Sequence, residues 1–314
     1  MRHLTVVLAM LALLAASGSG TLARQNPATS PAAEGALAEL GYPELRVRVT
    51  SDGLELPGEI PAGRVLLTVE NTRDVATVVA PIRLADGDSI EDVAAAARGV
   101  EGNDALVPYR NAVWAGGEPA LPGETTSGMV VTLTPGPWYV LDLSDLGAIP
   151  PTLTVTGDIP SDPGEVPNTA VSVEMTDFQF ILPDRIEAGT HVWRFANIGE
   201  QLHDIHVLKV PDGTEPDDVL RALTRPEGAE PQPGELVVNE TMIPMFGFGI
   251  MSGGQTIWTD VSIEPGTYVI VTWMDDEVTG APQLTLGMVS VFTVVGPGED
   301  GVPPASPEPA GPRA

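Results

Sequence analysis

The 314-residue sequence contains no cysteine. That absence excludes disulfides, thiolate nucleophiles, iron–sulfur clusters and thiolate metal sites, so stability must come from packing alone. Lysine is nearly absent too, with Lys209 the only one, which leaves Schiff-base and P-loop chemistry almost nothing to work with. Positive charge is scarce: 15 Lys plus Arg stand against 43 Asp plus Glu, for a net charge of −28. The acidic residues are scattered, and such a surface repels nucleic acid and anionic lipid, so neither is expected as a partner. Nucleophile elbows, S-x-x-K, H-E-x-x-H and phosphate-cradling glycine loops are missing from the mature chain, which argues against an enzyme. Gly247 to Gly254 has no lysine and reads as the turn-rich approach to a strand. The acidic turns Ala85 to Asp92 and Pro211 to Asp218 lack calcium-loop spacing and read as turns and helix starts.

Long apolar runs are also lacking, apart from Leu4 to Ala16. That run follows Arg2 and precedes small residues ending in Thr21-Leu22-Ala23, the layout of a secretory signal peptide over residues 1–23. It is shorter than the ~20 residues a membrane-crossing helix needs. A secreted or extracytoplasmic location in the cell envelope is therefore expected after cleavage, with no transmembrane segment in the mature chain. The sequence names no partner; another cell-envelope protein is one candidate.

Three stretches are dense in Pro, Gly, Ser, Glu and Asp: the linker over residues 24–40, a second linker at 157–169, and the tail at 297–314. Such composition reads as disordered. They bracket two blocks, 41–156 and 170–296, that match without a gap over about forty positions at an offset of 126 residues. Pro57 falls on Pro183, Ile60 on Ile186, Ala62-Gly63 on Ala188-Gly189, Asn71 on Asn197, and Asp86-Gly87 on Asp212-Gly213. The blocks are duplicates. Each reads as seven or eight short strands with one helix, Ser89 to Arg98 in the first copy and Glu215 to Thr224, started by Thr214, in the second. This pattern predicts an all-β fold of two tandem two-sheet sandwiches, one short helix per copy. The 157–169 linker suits packed copies or copies that swing.

Late in the second copy, Pro265-Gly266-Thr267-Tyr268 opens an apolar strand, and the following loop ends in Gly287-Met288. Over most of Val171 to Val295 this resembles the exported bacterial cupredoxin-like proteins, which implies two Greek-key sandwiches. In that family a His after an early strand joins a Cys, a His and a weak axial Met to hold type 1 copper. By the resemblance, the early His falls on His203 and the axial Met on Met288. The Cys position holds Thr272 and the late His position Gln283, so half of the ligand set is replaced. In the first copy His203 falls on Thr77, and the loop Asp142 to Pro151 has no His, Cys or Met.

His203 and His206 form an H-x-x-H pair. Strand residues three apart point to opposite faces, so the two are not expected to share a metal. Met242, Met245, Met251 and Met288 could serve Cu(I), which accepts thioether ligands, or could fill core gaps. The expectation is a non-enzymatic binding or structural module lacking a type 1 copper centre and a cofactor. The alternative is a copper-binding protein, using His203 and Met288 for Cu(I) or transferring electrons as the resemblance suggests.

Overall fold

A computed structural model describes residues 36–100, 102–161, 165–226 and 228–298. The expected signal peptide at 1–23, most of the 24–40 linker and nearly all of the 297–314 tail lie outside them.

The first copy runs β1 (Glu44–Thr50), β2 (Gly53–Glu55), β3 (Glu59–Pro61), β4 (Gly63–Asn71), β5 (Thr77–Arg83), α1 (Ile90–Ala97), β6 (Val113–Ala120), β7 (Met129–Leu133), β8 (Gly136–Asp142) and β9 (Thr152–Thr156). The second repeats it with β10 (Val171–Thr176), β11 (Gln179–Ile181), β12 (Arg185–Glu187), β13 (Gly189–Asn197), β14 (His203–Val210), α2 (Pro216–Leu223), β15 (Ile243–Met251), β16 (Thr256–Ile263), β17 (Gly266–Val271) and β18 (Val289–Val295). One sheet has the order β2-β1-β4-β7 in the first copy and β11-β10-β13-β16 in the second; the other has β3-β9-β8-β5-β6 and β12-β18-β17-β14-β15. Each strand thus has a counterpart with the same neighbours, and the duplication holds at the level of topology.

Alternation along the strands builds the core. In β1, Leu45, Val47 and Val49 point inward while Arg46 and Arg48 face solvent and pair with Glu70. In β10, Val171, Val173 and Met175 do the same. This period of two marks a sheet with one face on a core. Asn71 donates from Nδ2 to Val75 O and Ala120 O, at 2.8 and 3.1 Å. Its duplicate Asn197 donates to Gln201 O and Met251 O, at 2.8 and 2.9 Å. One side chain thus ties the same loop to the same strand in both copies.

The copies are joined strand to strand. β7 pairs antiparallel with β16, and β6 with β15, so the two halves share an eight-stranded and a ten-stranded sheet. Met129 lies opposite Thr259, its own counterpart in the repeat, as a pseudo-two-fold seam requires. Gly117 faces Gly249, and a Cβ built on Gly249 would meet the Gly117 Cα at 2.9 Å. The backbones come so close there that only glycine serves. Of the Gly247 to Gly254 segment, expected as a turn-rich approach, residues 247–251 are strand, and Gly249 answers to the seam.

Two other expectations are corrected. Residues 36–40, placed with the disordered linker, contain a 3-10 turn at Ala38–Leu40, and Leu37 is fully buried among Leu66, Val130, Val192 and Trp258. Its apolar floor exists only once both copies are joined. The second helix starts at Glu215 rather than Thr214. Glu215 and Asp218 form a reciprocal capping box, whereas Thr214 turns its hydroxyl to Pro211 O.

Candidate functional site

The positions singled out by the repeat lie at the loop end of the second copy. His203 opens β14, Thr272 follows β17, Gln283 begins the 3-10 turn Gln283–Leu286, and Met288 precedes β18; all four are fully buried. The structure brings His203 and Gln283 into contact, with Nδ1 2.8 Å from Oε1. The Gln283 amide donates to Leu202 O at 3.1 Å and approaches Asp275 O at 3.5 Å, which orients its NH2 group toward carbonyls and its oxygen toward the ring. His203 therefore carries its proton on Nδ1 and donates it to Gln283. Nε2 keeps its lone pair, buried without a hydrogen-bond partner and 3.9 Å from Asp177 Oδ1. Burial holds the His203 pKa below the ordinary histidine value, against opposing effects of Gln283, Asp177, Asp204 and Glu277. The ring is neutral.

Thr272 does not face His203's partner. Its hydroxyl donates to Asp204 Oδ1 at 2.6 Å, which also receives Trp273 N at 2.8 Å. Asp204 Oδ2 receives His206 Nε2 at 2.9 Å. Burial pushes the Asp204 carboxyl up, but His206 and the hydrogen bonds from His206, Thr272 and Trp273 N outweigh it and hold the pKa below the usual carboxylate range. His206 packs beside the Trp273 ring, its centroid 6.0 Å away. The two histidines thus serve separate networks, and simple alternation is not the reason. A register shift against β15 between His203 and Ile205 lets His203, Asp204 and Ile205 all be buried in succession.

Asp204 was not singled out by the sequence reading. A signal existed: in His203-Asp204-Ile205-His206 the carboxylate and His206 are two residues apart, hence on one strand face.

The methionines are not gathered at one point. Met251 and Met288 lie in the main core with Met245 partly buried against it, while Met242 belongs to a separate cluster with Leu208, Val269 and Trp273. These donors do not fit a type 1 copper ion. There is no thiolate, the Nδ1 lone pair is used up by its proton, and the Thr272 oxygen is committed to Asp204. Among the described residues no group of three or more His, Cys, Asp or Glu is placed to hold a metal.

In the first copy the equivalent positions are filled differently. Thr77 donates to Asp142, which stands six residues after Gly136 as Thr272 stands six after Gly266. Asp142 also pairs with Arg73 at 2.8 Å and accepts from Ser144 N and Oγ at 2.9 and 2.6 Å. The first copy further caps the loop of the second. Asn103 donates to Trp273 O at 3.0 Å, and Leu202 and Met274 are buried in one cluster with Leu106, Tyr109 and Trp114.

No protein-family model and no curated protein matches the chain. Solved structures similar to it include Na-dithionite reduced auracyanin from the photosynthetic bacterium Roseiflexus castenholzii, 17% identical over 41% of this chain and 99% of that one, with a TM-score of 0.27. Auracyanin B is 16% identical over 42% of this chain and 92% of its own, TM-score 0.26. The Cu-containing nitrite reductase of Thermus scotoductus SA-01 is 13% identical over 80% of this chain and 61% of its own, TM-score 0.22. Strand order and the duplicated turn landmarks define the architecture: two tandem β-sandwiches fused along one seam. No helix among the described residues is long and apolar enough to cross a membrane.

Proposed function

We propose that this chain is an exported, non-enzymatic cupredoxin-like module, built from domains at about 41–156 and 170–296, that lacks a type 1 copper centre and acts as a binding or structural component of the cell exterior. Export rests on the charged, apolar and small-residue layout of residues 1–23. The observation that carries the reading is the His203 Nδ1 to Gln283 Oε1 hydrogen bond of 2.8 Å: the resemblance assigns Gln283 to a ligand position, and its neutral amide is engaged with the histidine. Capping of the neighbouring loop by Asn103 and Leu106 supports it, because the ligand end of the second copy is packed rather than open. In this reading His203 and Met288 are buried structural residues, and no cofactor is needed. The partner is another protein of the cell envelope.

Competitive Cu(I) titration of the full chain, with metal analysis of protein purified from its own exterior compartment, tests the reading. Less than a tenth of an equivalent of copper is expected. One full equivalent, lost in His203→Ala or Met288→Ala, would replace this reading by copper binding through His and Met.

A further inference from the structure

The seam between the copies contains a second feature, remote in character from the plugged ligand positions. A cavity of about 200 Å³ opens there, lined by Glu118 from β6, Asp260 from β16, Glu124, and the side chains of Met245, Phe246 and Phe248 from β15. Neither copy alone could form it. Glu118 is only 5% exposed, and its Oε2 has no hydrogen-bond partner among the described residues. Asp260 Oδ2 is enclosed without a partner as well. Among the described residues no Lys or Arg lines the cavity. Glu118 keeps a hydrogen bond with Thr126 but has one oxygen without a partner, and half-buried Asp260 has another; a buried polar atom left unpartnered costs stability, so two at one cavity call for a physical reason.

The repeat sharpens that reason. Glu118 lies opposite Val79 as Phe248 lies opposite Ile205, so its duplicate is a phenyl ring. Asp260 lies opposite Val192 as Val130 lies opposite Leu66, so its duplicate is a valine. At both positions the sandwich is made equally well by an apolar residue. Both departures from the repeat introduce an acid, and both acids line the same cavity.

We infer that this seam cavity is a binding site for a small organic ammonium ion. Carboxyls supply the opposite charge. The Phe246 and Phe248 rings, 5.7 Å apart and tilted by 43°, line it beside the Met245 thioether, and aromatic rings attract alkylated cations. A calcium-like ion would want six to eight oxygen ligands, and among the described residues no group of three or more acidic side chains is placed to hold one. The cavity is below the ~300–1,000 Å³ of drug-sized sites, which limits the guest to an amine of a few carbons.

Binding is coupled to protons. Burial pushes the Glu118 pKa up to about 8, with Glu124 adding to it and a hydrogen bond with Thr126 opposing it. Burial also raises Asp260. The titratable groups lining the cavity are Glu118, Glu124 and Asp260; β15 contributes none. A cation favours the ionised carboxylate, so it displaces the Glu118 proton, and affinity should rise up to about tenfold per pH unit until about pH 8, then level off.

Calorimetric titration of the full chain with choline, and with its uncharged carbon isostere dimethylbutanol, between about pH 6 and about pH 9 decides the matter. The expected result is one choline site, no binding of the isostere, and the stated rise with pH. Glu118→Gln should fold with an unchanged or higher Tm, weaken choline at least about tenfold at pH 8, and lose the pH dependence. Absence of choline binding, equal binding of the isostere, unchanged affinity in Glu118→Gln, or a site that takes Ca²⁺ in preference would each overturn the inference. The His203→Ala variant should bind choline as the parent does, which keeps this result separate from the copper titration.

Discussion

The two copies share a frame and differ in what fills its loop end. Asn71 and Asn197 make the same pair of hydrogen bonds in each, yet the first copy closes the end with the Arg73–Asp142 ion pair and Thr77, while the second closes it with a neutral His203–Gln283 bond beside a separate Asp204 network. The lesson is that strand order and loop anchoring do not need a metal. Two chemically unlike sets of hydrogen bonds hold that end, although among the described residues Arg73 Nε in the first copy and His203 Nε2 in the second are left without a partner.

The difference can be broken first on the ionic side. Asp142→Ala strands the largely buried Arg73 and removes the acceptor of Thr77 and Ser144, and should cost about 3 kcal/mol in urea unfolding. A cost below about 1 kcal/mol would show that the pair is screened like a surface one. Next, Asn71→Ala and Asn197→Ala should each cost about 2 kcal/mol, because each leaves two carbonyls without their donor. Unequal losses would break the claim that the frame is common.

Gln283→Leu should cost about 1–2 kcal/mol by leaving the His203 Nδ1 proton and Leu202 O unpaired, and adding His203→Leu should recover part of it, since removing both partners of a buried bond is cheaper than removing one. The smallest effect is one of pH. His203 stays neutral in the fold because burial lowers its pKa, while the unfolded chain binds a proton below about pH 6.5. Stability attributable to His203 is therefore present above that pH and lost below it. His203→Gln should flatten the urea midpoint between about pH 5 and about pH 7. Thr77 gives the first copy no equivalent sensitivity.

Much of this was legible in the sequence. Pro-Gly turns, matched asparagines and period-two strands mark the duplicated sandwich because they report local backbone needs. Thr272 and Gln283 could be picked out, by the resemblance alone, because the turn at Pro265-Gly266 and Met288 bracket them. The seam was not legible. Periodicity says that Val130 or Trp258 seeks a core but not that the core belongs to the other copy, and Gly117 and Gly249 look like loop glycines until their strands face each other. Leu37 was read with the linker for the same reason. Glu118 and Asp260 were hidden by composition, since in so acidic a chain little distinguishes a buried carboxyl from a solvated one, whereas Asp204 carried a signal in its spacing from His206.

The central claim is that a hydrogen bond occupies the place of a metal ligand. Nitrogen NMR of the His203 ring in the full chain, before and after one equivalent of Cu(I), tests it most directly. The predicted spectrum has a protonated, hydrogen-bonded Nδ1 and a bare Nε2, unchanged by copper. A protonated Nε2 in the metal-free chain, or a ring shifted by stoichiometric Cu(I), would contradict the account.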